Sequence, residues 1–112
     1  MTCFTNVSAA LAVLLCFAVP AQAALLSSTG QVSSLRIEGT AGFIGLSQPF
    51  AQPHGCGGGT RVWVDMNSPI GRATYASAMM AFSMKQNVVI RAHEDSAKEF
   101  GECQLYDIYV TP

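Results

Sequence analysis

Charge is scarce in this chain. Only 12% of its 112 residues are Asp, Glu, Lys or Arg, six basic against seven acidic, for a formal net charge of −1. Nucleic-acid binding rests on a basic excess that neutralises phosphates, and there is none. No polybasic segment suggests attraction to anionic lipid. The apolar run at residues 7–19 is shorter than the roughly 20 helical residues that cross a bilayer, and no second run follows it, so no stable membrane span is expected. Signatures of catalysis are missing too. No Ser sits in a Gly-x-Ser-x-Gly elbow. The glycine run at residues 55–60 (Gly-Cys-Gly-Gly-Gly-Thr) lacks the Lys-Ser/Thr and the following helix of a phosphate loop. Glu38, Asp65, Glu94, Asp95, Glu99, Glu102 and Asp107 offer carboxylates for glycoside chemistry, but so short a chain leaves little room for a deep cleft. The reading is a protein that is not an enzyme and uses no cofactor.

What is present begins with an export signal. Residues 7–19 are uncharged and have the length of a signal-peptide core; Pro20 breaks the helix, and Ala21-Gln22-Ala23 is a small-x-small cleavage site. Cleavage between Ala23 and Ala24 leaves residues 24–112 as one domain, periplasmic or secreted. The leader departs from the usual pattern in having no Lys or Arg among residues 1–6. Cys16 does not read as a lipidation site, because Leu15 precedes it where a small residue is wanted.

Cleavage removes Cys3 and Cys16 and leaves Cys56 and Cys103. Two thiols in an oxidising compartment normally form one bridge. Closing this loop stabilises the fold by on the order of 3–4 kcal/mol in the chain-entropy model. His54 and His93 complete the inventory of a tetrahedral zinc site with these cysteines. Export favours the bridge, which leaves both histidines as solvent-facing loop residues and no metal.

Along the domain, residues 31–38 alternate with Val32, Leu35 and Ile37 as apolar members, after a short entry segment at 24–30. Residues 39–42 are a turn and 43–46 a strand, together a hairpin. Residues 60–66 form a third strand, with Val62 and Val64 on one side and Arg61, Trp63 and Asp65 on the other. Ser68-Pro69 is an N-cap followed by proline at the first helical position. The helix that follows carries Ala73, Ala76, Met80 and Met84 on one stripe, with Tyr75, Met79 and Phe82 beside it, read as its core-facing side. Met79, Met80 and Met84 are then packing and not a Cu(I) site. Asn87 is a left-handed C-terminal cap. Residues 88–92 are a fourth strand, 93–102 a charged loop without the ligand spacing of a calcium loop, and 103–111 a fifth strand. The fold class is mainly β with one helix, in the order β-β-β-α-β-β, which is that of the five-stranded OB-fold barrel, with an open α+β sandwich carrying the helix on one sheet face as the alternative.

The pattern of a leader, Gly-x-Val-x-x-Leu (residues 30–35), a central Cys, an aromatic strand, Tyr-Ala-x-x-Met-x-Ala (residues 75–81), Val-Val-Ile and a late Cys resembles small exported proteobacterial proteins, mostly of unknown function. Their architecture is similar to that of the OB-fold B subunits of AB-type toxins of the subtilase-cytotoxin kind. The resemblance implies a glycan-binding module that assembles into a homo-oligomeric ring. It assigns no contact residue, because no toxin glycan-binding motif has a match here. From the residues themselves, Trp63, Tyr106 and Tyr109 are the candidates for a ligand-binding surface, the ligand being a glycan or a protein. For Trp63 the competing role is to cap the core or an oligomer interface. A periplasmic protein-interaction or inhibitor role is the alternative function, and a small hydrolase the third.

Overall fold

A computed structural model of the protein describes residues 25–112; the expected cleavage site at Ala23 and Ala24 lies outside them. The described residues are mainly β with one helix: β1 (Leu25–Glu38), β2 (Ala41–Leu46), β3 (Arg61–Asp65), α1 (Pro69–Met84), β4 (Asn87–His93) and β5 (Leu105–Val110). The strands form one antiparallel sheet in the order β3-β2-β1-β4-β5. The expected barrel does not close. Its end strands meet through a single parallel bridge, Trp63 to Gln104, where the Trp63 amide donates to the Cys103 carbonyl at 3.1 Å.

β1 organises the sheet because it is long enough to serve two partners. Residues 25–31 pair with β4, and residues 32–38 with β2. The first half is a regular strand and more than the short entry segment expected at 24–30. Ser28 is buried, and its hydroxyl donates to the Gln48 carbonyl at 2.6 Å, so the polar group is satisfied inside. The spacing from Val32 to Leu35 breaks strand periodicity, and a register shift between Val32 and Ser34 absorbs the extra residue. Both apolar side chains thereby reach the core face. Ile37, at the hairpin end, is exposed.

The core lies between the concave face of the sheet and α1. Val32, Ile44, Phe50, Val62, Val88 and Ile90 meet Tyr75, Ala78 and Ala81 of the helix. Ser68 caps α1 as expected, its hydroxyl accepting from the Gly71 amide. The buried helix face differs from the expected one. Gly71, Tyr75, Ala78 and Ala81 are buried, whereas Met79, Met80 and Met84 are at least half exposed. Small residues explain the choice. A Cβ on Gly71 would lie 1.9 Å from the Asp65 carbonyl oxygen, so only glycine lets the helix approach β3 this closely. Gly42 likewise leaves room for the Tyr75 ring, which a Cβ would meet at 2.9 Å. The helix ends before the expected cap at Asn87. Lys85 takes the left-handed conformation, and the amides of Lys85 and Gln86 close onto Phe82 and Ala81.

Cys56 and Cys103 form the disulfide, with Cα atoms 5.0 Å apart and both residues fully buried. It ties the glycine-rich segment before β3 to the segment entering β5. Among the described residues no helix is long and apolar enough to cross a membrane.

Candidate functional site

Because side chains alternate along a strand, the residues that do not enter the core lie on the convex face of the sheet. The two ends of that face differ. At the β2–β3 end, Phe43 and Trp63 stand opposite each other in register and form a second small apolar cluster with Ala41. The chain between β4 and β5 covers them. The Trp63 indole N–H donates to the Ala97 carbonyl at 2.9 Å, and Phe100 packs against Phe43 with ring centroids 5.7 Å apart. Arg61 lies over the Phe43 ring, 4.9 Å from its centroid, and pairs with Glu102 at 3.3 Å. Trp63 keeps only 8% of its surface exposed, with its one donor already used. It is not brought together with Tyr106 and Tyr109: its position is that of a structural cap.

At the β4–β5 end the convex face is open. Half-buried Arg91 and His93 and buried Val89 of β4 alternate with the core residues Val88, Ile90 and Ala92, and stand beside Asp107, Tyr106 and Tyr109. A register shift between Arg91 and Ala92 leaves Tyr106 as the unpaired extra residue of β5. A bulge of this kind turns a side chain away from strict alternation. Here it brings Tyr106 beside Arg91 on the same side as Tyr109, with the guanidinium carbon 5.5 Å and 5.7 Å from the two ring centroids. Tyr106 is 54% and Tyr109 48% exposed.

Arg91 is held in place by a bidentate pair with Asp107, in which Nε donates to Oδ1 at 2.7 Å and the terminal nitrogen to Oδ2. The hydrogen bond to Arg91 holds the Asp107 carboxyl below its ordinary value despite partial burial, and the same bond raises Arg91 further. The pair is therefore charged throughout the neutral range and nearly cancels its own field. His93 packs edge-on against Tyr106 at 4.7 Å. It is half-buried at the end of β4 and not a solvent-facing loop residue. His54 is also half-buried, its Nδ1 accepting from the Cys56 amide. With Cys56 and Cys103 joined, neither can ligate a metal through a thiolate.

Beside this face, a cleft of about 190 Å³ opens where β3 and β5 fail to pair, under the start of α1. Asp65, Ser68, Thr74, Gln104 and Tyr106 contribute to its walls. Tyr106 thus belongs to both the open face and the cleft. The cleft is smaller than the roughly 300–1,000 Å³ of a site that engulfs a small molecule. Together the two offer half-exposed aromatic rings, a fixed hydrogen-bonding ion pair and a shallow polar recess. This arrangement can stack and hydrogen-bond a ligand lying on the surface.

No family model matches the chain, and no curated protein or solved structure is similar to it.

Of these residues, sequence reading singles out Tyr106 and Tyr109, weighs Asp107 only as a glycosidase carboxylate and His93 only as a zinc ligand, and misses Arg91. Their alternation along β4 and β5 is visible in the sequence. That Arg91 stands opposite Asp107, between the rings, depends on the register of the two strands and on the bulge.

Proposed function

We propose that the protein is an exported, non-enzymatic binding module on an OB-fold-like sheet, and that it holds a carbohydrate against Tyr106 and Tyr109. The observation that carries this is the pair of half-exposed tyrosine rings flanking Arg91 on an otherwise open sheet face. Sugar rings present C–H faces that stack on aromatic rings and hydroxyls that bond to fixed charged partners, here the Arg91–Asp107 pair. The OB-fold-like reading is supported by β1 serving both halves of the sheet and by the parallel bridge between β3 and the start of β5. Export is supported by the buried disulfide, a bond that persists in oxidising compartments.

A glycan array with the purified protein tests the ligand class. Binding to a defined set of sugars, lost in Tyr106→Ala and Tyr109→Ala, is the expected result; silence across sialylated and neutral sugars overturns it. Tyr and Arg also anchor protein–protein interfaces, so the same face favours docking on a protein as the second reading. Co-purification from the native periplasm separates the two, since a protein partner would be retained by the native chain and released by Tyr106→Ala.

A further inference from the structure

Between β4 and β5 the chain makes a tight turn at Glu99–Glu102. The two glutamates exchange backbone hydrogen bonds of 3.3 and 2.9 Å across it. Its central residues, Phe100 and Gly101, both have positive φ, 51° and 78°. Two-residue turns of this kind select Asn, Asp or Gly at both places, because a larger side chain crowds the backbone there. Phenylalanine is a poor choice for the backbone. Solvation does not select it either, since 68% of Phe100 is exposed. One side of its ring leans on Phe43, and the space around the neighbouring Gly101 is open. A bulky residue held in this conformation without burial points to a role outside the fold.

The tip is also firmly held. Ahead of it, the Ala97 carbonyl accepts from the Trp63 indole. Behind it, Glu102 pairs with Arg61, the Cys103 carbonyl accepts from the Trp63 amide, and Cys103 is joined to Cys56. A ring fixed in this way before docking loses little freedom on binding.

We infer that Phe100 anchors a protein-docking site, entering an apolar pocket rimmed by Lys or Arg on a different protein. Charge around the tip sets the rim. Lys98 is folded back onto the Glu94 and Ser96 carbonyls, and Arg61 is taken by Glu102. Asp95 and Glu99 are exposed and form no ion pair among the described residues. Glu94 adds a third carboxylate, which accepts from the Gly55 amide. The partner therefore meets a phenyl ring among carboxylates, and complementary charge on its side steers and orients the docking. A second copy does not offer this pocket: the cleft beside Tyr106 has Asp65 in its wall and no Lys or Arg. A bilayer does not fit either. One ring is a marginal membrane anchor, and anionic headgroups repel the carboxylates. The docking is independent of the carbohydrate reading of the tyrosine face.

Photo-crosslinking in the native periplasm tests it. The probe is p-benzoylphenylalanine in place of Phe100, with the same probe in place of the exposed Ile37 as control. An adduct with one protein from position 100 and none from position 37 is expected, joined at a segment that carries Lys or Arg. Glu99→Lys reverses a charge at an exposed position and should lower the adduct yield about tenfold. The captured protein, once purified, should bind the native chain at least tenfold more tightly than it binds Phe100→Asn. Asn is at ease at positive φ, so this variant should unfold at or above the native thermal midpoint. Phe100→Gly is a second variant read in the same way. A lower midpoint for both would make Phe100 a structural cap of Phe43 and overturn the inference. So would no adduct, an adduct with lipid or with a second copy, equal yields from both positions, or a yield indifferent to Glu99→Lys.

Discussion

The two ends of the convex sheet face carry similar residues to opposite ends. Both present aromatics beside an arginine that pairs with a carboxylate: Phe43 and Trp63 with Arg61–Glu102 at one end, Tyr106 and Tyr109 with Arg91–Asp107 at the other. At the first end residues 97–102 fold over the rings, the indole donor is used by a backbone carbonyl, and Glu102 is buried. At the second the rings, flanked by Arg91 and His93, stay about half exposed among the described residues. An aromatic residue on a sheet surface is thus structural or recognitional according to whether a neighbouring segment of chain reaches it. The disulfide decides which end is reached, because Cys103 fastens the covering segment to the glycine-rich loop beside β3.

The contrast is broken most forcefully at Trp63. Trp63→Ala should destabilise the protein by about 4 kcal/mol in urea unfolding, since it opens a cavity under residues 97–102. Removing the bridge with C56S/C103S comes next, at on the order of 3–4 kcal/mol from loop entropy over a sequence separation of 47 residues. It should also raise hydrogen exchange at residues 97–102 more than at β4 and β5. If exchange rose equally at both ends, the disulfide would not be what distinguishes them. At the open end the balance reverses. Tyr106→Ala and Tyr109→Ala should each change stability by no more than about 0.5 kcal/mol, as expected of exposed positions. Each should nonetheless weaken ligand binding by roughly tenfold or more. A large stability loss with unchanged binding would make these tyrosines structural as well.

Much of this frame is legible in the sequence. The Ser68-Pro69 start of α1 and the pairing of Cys56 with Cys103 follow from local chemistry and from how few cysteines the expected cleavage would leave. The orientation of α1 is not legible, because Ala73-Ala76-Met80-Met84 and Gly71-Tyr75-Ala78-Ala81 are both apolar stripes on a nearly uncharged helix. Hydrophobicity cannot choose between them. The deciding quantity is how closely the backbone can approach β3, and Gly71 is the residue that carries that signal. The first half of β1 escapes for a related reason. Ser27, Ser28 and Thr29 read only as part of an entry segment until β4 supplies the partner strand and Gln48 the acceptor for Ser28. The fate of Trp63 depends on Ala97 and Phe100, distant segments of chain that no local pattern connects to it.

The smallest effect concerns Asp107, and it sharpens the contrast through pH. Its carboxyl titrates below the ordinary value because the hydrogen bond to Arg91 favours the charged form. A group whose pKa is depressed on folding adds stability that is fully present above the unfolded value of about 3.9. That contribution is lost as pH falls through the lower folded value. Asp107→Asn should therefore be less stable than the native protein at neutral pH, and the two should converge below about pH 4. The side chains of the pair are about a third exposed, so the difference should be small and should shrink with added salt. Ligand binding should respond more than stability, because Arg91 loses the anchor that holds it between Tyr106 and Tyr109. A stability curve for Asp107→Asn parallel to the native one down to acid pH would mean that the pair does not form. The guanidinium would then be free of its carboxylate and open to pairing with an acidic ligand in place of a neutral sugar.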